Sequence, residues 1–188
     1  MTLIATCLTP AQAAVCAEQR IPVMPRYARS LGEITPGCVT DFSVHCFNSD
    51  TLDALHALGV ARATLHPELN LAQIRDLRKP IPVEAVIYGK LPLMRLGTPI
   101  AARQLTDRTG ARFPLHTHKK GTTLYNAVPL FLADKLTDLE KAGITHGRLA
   151  FTDETPEQVR TILRAYKLRK TLNIPFTRGK FFAKRDTP

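Results

Sequence analysis

The sequence predicts an α/β fold built on a mainly parallel sheet, open or closed into a barrel. Three observations predict it. Apolar or alternating runs of strand length recur down the 188-residue chain, most are followed by apolar residues at helical spacing, and no segment is of low complexity. With 44% hydrophobic and 22% charged residues the composition is globular, which excludes whole-chain disorder and makes residues 1–188 a single expected domain.

Leu3 to Leu8 reads as the first strand, and Pro10 at a first-turn position starts a helix running to about Gln19. Ile21 to Met24 reads as a second strand and residues 26–40 as an irregular link. Asp41 to Phe47 alternates like a strand. Leu52, Leu55 and Leu58 then recur at helical spacing until Gly59 stops the helix, and Val60 to Leu65 is the next strand. Asn70 caps a helix carrying Leu71, Ile74 and Leu77, which ends at Lys79-Pro80 before the apolar strand Val83 to Tyr88.

There the rhythm breaks. Residues 89–126 read as an insertion, with a β-hairpin at 95–120 turning at Asp107 to Gly110. It resumes with a helix holding Leu132, Leu136 and Leu139, and a strand from Arg148 to Phe151. The last helix is the most fully signalled: Thr155 as N-cap, Pro156 at the first position, Gln158 completing a capping box, and Val159, Ile162, Leu163 and Tyr166 as its apolar face. Residues 173–188 form a basic tail. This gives six candidate parallel strands, two short of the eight that close a barrel of about 200–250 residues.

The chain holds 26 Lys and Arg against 16 Asp and Glu, a net charge of +10. The excess sits in two stretches: Arg95 to Lys120, where Asp107 is the only acid, and the chain from Arg160 onward, where Asp186 is the only acid. This pattern fits a solvated surface or contact with RNA. Cys7, Cys16, Cys38 and Cys46 include no C-x-x-C pair and read as reduced thiols; with no basic leader and no run of about 18 apolar residues, the expected place is the cytoplasm, with no membrane partner.

In an α/β protein functional groups gather at the carboxyl ends of parallel strands, which singles out His45, Asn48, Glu68, Tyr88, Thr152 and Glu154. Glu84 lies inside an apolar strand, where a carboxylate needs a partner; Arg148 is the candidate, and Val86 and Tyr88 share its face by period two. The pair reads as a structural ion pair or, alternatively, as a catalytic acid or base. His116 and His118 share a strand face, but no motif supplies a third ligand, so no metal is expected. His45 and Cys46 point to opposite faces and cannot pair as base and nucleophile.

In the segments His45-Cys-Phe-Asn-Ser, Leu65-His-Pro-Glu-Leu, Glu84-Ala-Val-Ile-Tyr-Gly-Lys-Leu-Pro-Leu-Met, Leu105-Thr-Asp-Arg-Thr-Gly-Ala-Arg-Phe-Pro, Tyr125-Asn-Ala-Val-Pro-Leu, Arg148-Leu-Ala-Phe-Thr-Asp-Glu and Thr177-Arg-Gly-Lys-Phe-Phe, the chain resembles the U32, or collagenase-like, peptidases. The resemblance covers roughly residues 40–182 and implies a TIM-like (β/α) barrel, incomplete here, and a peptidase of unassigned catalytic type. It implies Glu68, Glu84, Tyr88, Asn126 and Arg148 as site residues. Some relatives take part in hydroxylating RNA bases or ubiquinone and hold an iron-sulfur cluster on cysteines beyond the Tyr88-Gly89 motif. Here no cysteine follows Cys46, so no cluster is expected there and no cofactor is assigned. The chain looks like the C-terminal part of such a module. The expected function is therefore a U32 peptidase acting on a protein or peptide; the alternatives are an RNA-modification factor, or a non-catalytic subunit that completes a barrel with a second chain.

Overall fold

The computed structural model describes residues 1–24, 26–119 and 121–182. Five parallel strands form a curled sheet, a half-barrel: β1 (Thr2–Thr6), β2 (Val39–Thr40), β3 (Arg62–Thr64), β4 (Val83–Gly89) and β10 (His146–Ala150), in the order β1-β10-β4-β3-β2. A short β9 (Leu130–Phe131) pairs antiparallel with the end of β4. All seven residues of β4 are buried, as a central parallel strand covered on both faces requires.

The helices capped by Asn70 and Thr155 start where expected, and two further side-chain caps accompany them. In α1 (Pro10–Glu18) Thr9 and Gln12 form a capping box ahead of Pro10. Asn48 caps α2 (Ser49–Ala57), Asn70 and Gln73 form the box of α3 (Leu71–Asp76), and Thr155 and Gln158 that of α5 (Pro156–Leu168). Each box satisfies two backbone donors that a helix start otherwise leaves open. The helix expected from Leu132 is shorter: Ala133–Lys135 is a 3-10 turn and α4 spans Leu136–Lys141. Val159, Ile162, Leu163 and Tyr166 of α5 are buried, each apolar one contributing about 1.5–3 kcal/mol.

Three expectations are corrected. Residues 41–47 are not a strand: Phe42–Val44 is a 3-10 turn, His45 is left-handed at φ 58°, and only Cys46 bridges to Leu65. The strand lies instead at β2, inside the expected link; its ladder with β3 ends at Thr40, and the carboxylate of the next residue, Asp41, meets Arg148. Residues 21–24 contribute a single bridge, Val23 to Ala5, rather than a sixth full strand. Ala28 similarly bridges Thr40, so the chain on either side of position 25 touches both outer strands of the sheet.

The insertion is larger than a hairpin. β5 (Pro92–Leu96), β6 (Gln104–Thr106), β7 (Arg112–His118) and β8 (Gly121–Tyr125) make a four-stranded antiparallel sheet in the order β5-β8-β7-β6. The expected turn is present between β6 and β7, where the Asp107 carboxylate accepts from the Thr109 and Ala111 backbone at 2.8 and 3.0 Å. The tail as far as residue 182 is docked: Thr177 bridges Leu130, Arg178 pairs with Asp134 at 2.5 Å, and Phe181 is buried. Lys120, Lys184 and Arg185 of the two basic stretches lie outside the described residues. No helix among the described residues is long and apolar enough to cross a membrane.

Candidate functional site

β4 and β10 are neighbours, and their register sets Glu84 opposite His146 and Arg148 opposite Val86. That brings the two charged side chains together on the inner face. Arg148 Nε donates to Glu84 Oε1 at 2.7 Å, Nη1 to Asp41 Oδ1 at 2.7 Å, and Nη2 to Thr64 Oγ1 at 2.7 Å. The Tyr27 ring lies 4.0 Å from the guanidinium carbon, and its hydroxyl donates to Glu84 Oε2 at 3.3 Å. Arg62 Nε stands 2.9 Å from the same Oε2, an ion pair without hydrogen-bond alignment. The charges thus alternate from Arg62 through Glu84 and Arg148 to Asp41, each buried charge beside its opposite.

Burial by itself lowers the pKa of the Arg148 guanidinium, but the facing Glu84 and Asp41 carboxylates outweigh it and hold it above the ordinary value. The Tyr27 hydroxyl is pushed up, chiefly by burial, and stays protonated. Asp41 Oδ2, the oxygen that Arg148 does not hold, has Ser43 Oγ at 3.4 Å and the exposed Arg29 at 3.9 Å.

Above this network, between the carboxyl ends of β1, β4 and β10 and the antiparallel sheet, lies a cavity of about 770 Å³. Asp41, Tyr27 and Arg148 form part of its wall, and Arg26, Arg29, Lys90, Arg95, His116 and His118 add positive or protonatable groups. Asp41 is the single acid among the lining residues, and it is already paired. The wall therefore favours an anionic ligand.

Of the five residues singled out from the sequence, Arg148 and Glu84 meet as expected, Arg148 in the cavity wall and Glu84 beneath it. Tyr88 does not share their face. Arg148 pairs with Val86 but Leu149 with Tyr88, a bulge that skips Ile87 and turns Tyr88 toward Phe131, Phe151 and Tyr166. Its hydroxyl donates to Glu154 Oε1 at 2.9 Å and lines a separate pocket of about 430 Å³ beside the start of α5. Glu68 is exposed in the turn after β3, its backbone N–H 3.4 Å from His66 Nδ1. Asn126 follows β8, its side chain accepting from the Ala127 N–H at 2.9 Å. The sequence reading missed Tyr27 and Arg29, which lie in the segment read as an irregular link, and Asp41, which it placed at the start of a strand. The signal available for Asp41 was that a buried Arg148 needs more than one acceptor.

No group of three or more His, Cys, Asp or Glu side chains among the described residues is placed to hold a metal ion. His116 and His118 face the cavity without a third ligand. A family model described as Peptidase family U32 matches residues 29–174, from Arg29 through the whole of α5 to the start of the tail. No curated protein and no solved structure matches the chain.

Proposed function

Because the chain belongs to peptidase family U32, we propose that the cavity above Arg148 is the substrate site of a hydrolase of that family, taking a peptide rich in carboxylates. One observation carries the reading: with Lys90 paired to Asp153, and Arg148 to Glu84 and Asp41, the cavity lining still holds Arg26, Arg29 and Arg95 and no further acid. Asp41 is the one carboxylate among the lining groups and, like the imidazoles of His116 and His118, can accept a proton from water. In this reading Asp41 Oδ2 takes a proton as the water oxygen bonds to the peptide carbonyl carbon, while Arg29 and Arg95 hold substrate carboxylates. The C–N bond then breaks and the proton passes to the leaving amine. Arg148 acts as a positioning residue that fixes Asp41, and Glu84 fixes Arg148.

The test is a mass-spectrometric cleavage assay with an acidic and a lysine-rich peptide of equal length. The acidic peptide is cleaved and the lysine-rich one is not, and Asp41→Asn lowers kcat by at least ~100-fold, the usual scale of a general base, with KM little changed. Absence of cleavage overturns the hydrolytic reading. A second reading has its own support: Arg95 and Arg26 both line the cavity, and single-stranded RNA is the other common extended polyanion. RNA binding would show a log affinity falling with log salt by about 0.7 per neutralised phosphate, without any peptide cleavage.

A further inference from the structure

The carboxyl end of β1 carries a chemical feature that the substrate reading does not use. Cys7 directly follows β1, and Cys16 lies in the second half of α1; their Sγ atoms stand 3.7 Å apart, and both are free thiols. The Thr9 cap and Pro10 start α1 at once, so the helix folds back over β1 and brings the two sulfurs together. Cys16 is wholly buried, whereas Cys7 is half-buried and lines the large cavity. A sulfur–sulfur bond is about 2.05 Å long, so closure requires less than about 2 Å of approach, within reach of side-chain rotation. Gln12 meanwhile anchors α1 through bonds of 3.1 and 2.9 Å to the Thr152 and Glu154 carbonyls.

The two thiols are also unlike. With Cys16 as donor, their hydrogen bond holds the Cys7 thiol below its ordinary pKa and drives Cys16 above it. Thiolate character and access fall on the same sulfur, which is the pattern of a reactive thiol, while the second sulfur is sheltered beside it.

We propose that Cys7 and Cys16 form a peroxide-reactive pair in which Cys7 attacks and Cys16 resolves. The Cys7 thiolate attacks one oxygen of hydrogen peroxide: an S–O bond forms, the O–O bond breaks, and hydroxide leaves to become water. Cys7 is then a sulfenic acid. The Cys16 sulfur attacks it, the S–S bond forms, the S–O bond breaks, and the oxygen leaves as a second water with the Cys16 proton. Two thiols and one peroxide thus give one disulfide and two waters, and an external dithiol returns the pair to its reduced state. The proposal does not rest on which ligand the cavity binds.

Both cysteines fall in one tryptic peptide, residues 1–20, and Cys38 and Cys46 in another, residues 30–62, which serves as internal control. The folded full-length chain is treated with hydrogen peroxide, denatured, labelled with N-ethylmaleimide and digested. Peptide 1–20 is expected unlabelled and lighter by two hydrogens, peptide 30–62 keeps both labels, and dithiothreitol before labelling restores the first. Cys7→Ser leaves Cys16 fully labelled, and in Cys16→Ala a dimedone adduct marks Cys7. The proposal is overturned if peptide 1–20 keeps both labels, if Cys38 and Cys46 are lost as fast, or if Cys16 is oxidised at the wild-type rate without Cys7. The wild-type map and Cys7→Ser decide the matter even where Cys16→Ala fails to fold.

Discussion

Arg148 offers its guanidinium fork to three acceptors, Glu84, Asp41 and Thr64, each at 2.7 Å, with Tyr27 stacked on its face. A group so satisfied is stable as a set and vulnerable in its parts, because removing one partner leaves a buried charge without compensation. Glu84→Gln is therefore expected to destabilise the protein by about 3 kcal/mol, and a double-mutant cycle with Arg148→Met to show coupling above ~1 kcal/mol. Chemical denaturation of the four proteins measures it; additive effects would mean the two side chains do not share a network. This pair was legible in the sequence, since a carboxylate within the run Val83 to Tyr88 demands a cation and Arg148 falls in a later strand, though at the middle of β10 rather than at its expected start. Asp41 and Tyr27 were not legible. Their pairing spans 107 residues in one case and 57 in the other, and nothing local marks it.

At the scale of elements, what a single segment determines was legible and what neighbouring segments determine was not. The Thr155 capping box, the Asn70 cap and Pro10 were each read from a single segment, and each starts its helix; the structure adds Gln12 and Gln73 as the residues that complete boxes at Thr9 and Asn70. The Asp107 to Gly110 turn is similarly local. Tyr88 fails the period-two expectation because a bulge against β10 re-aims it, and bulges depend on the partner strand. Gly89 continues that irregular end at φ 128°, where an added Cβ would overlap the Ala150 carbonyl. The contact between α5 and the sheet supplies a test. Tyr166 Oη accepts from the Leu132 N–H at 2.9 Å and donates to the Ile87 carbonyl at 2.5 Å, all within the core. Tyr166→Phe keeps the ring and strands both backbone groups, so a loss of about 1–3 kcal/mol is expected, read as a lower urea midpoint with unchanged slope. An unchanged midpoint would show that α5 does not depend on this clamp.

For the molecule as a whole, the half-barrel and the antiparallel sheet matter because they face one another across the cavity. The half-barrel brings the buried ion network and the strand ends; the inserted sheet brings Arg95, His116 and His118. The net charge of +10 was plain from composition, yet its arrangement around a cavity with one paired acid came only from the fold. The most direct test of the account is the affinity of a fluorescently labelled acidic peptide, followed by anisotropy at several salt concentrations, for the wild-type chain and for Arg29→Glu combined with Arg95→Glu. Both arginines are exposed at the cavity and clear of the Glu84–Arg148 pair, so the variant is expected to fold. The account predicts wild-type affinity that falls steadily with salt, and a variant at least ~10-fold weaker at low salt, a loss of about 1.4 kcal/mol, with a flatter salt dependence. Equal affinity of the two proteins, or wild-type binding indifferent to salt, would contradict it.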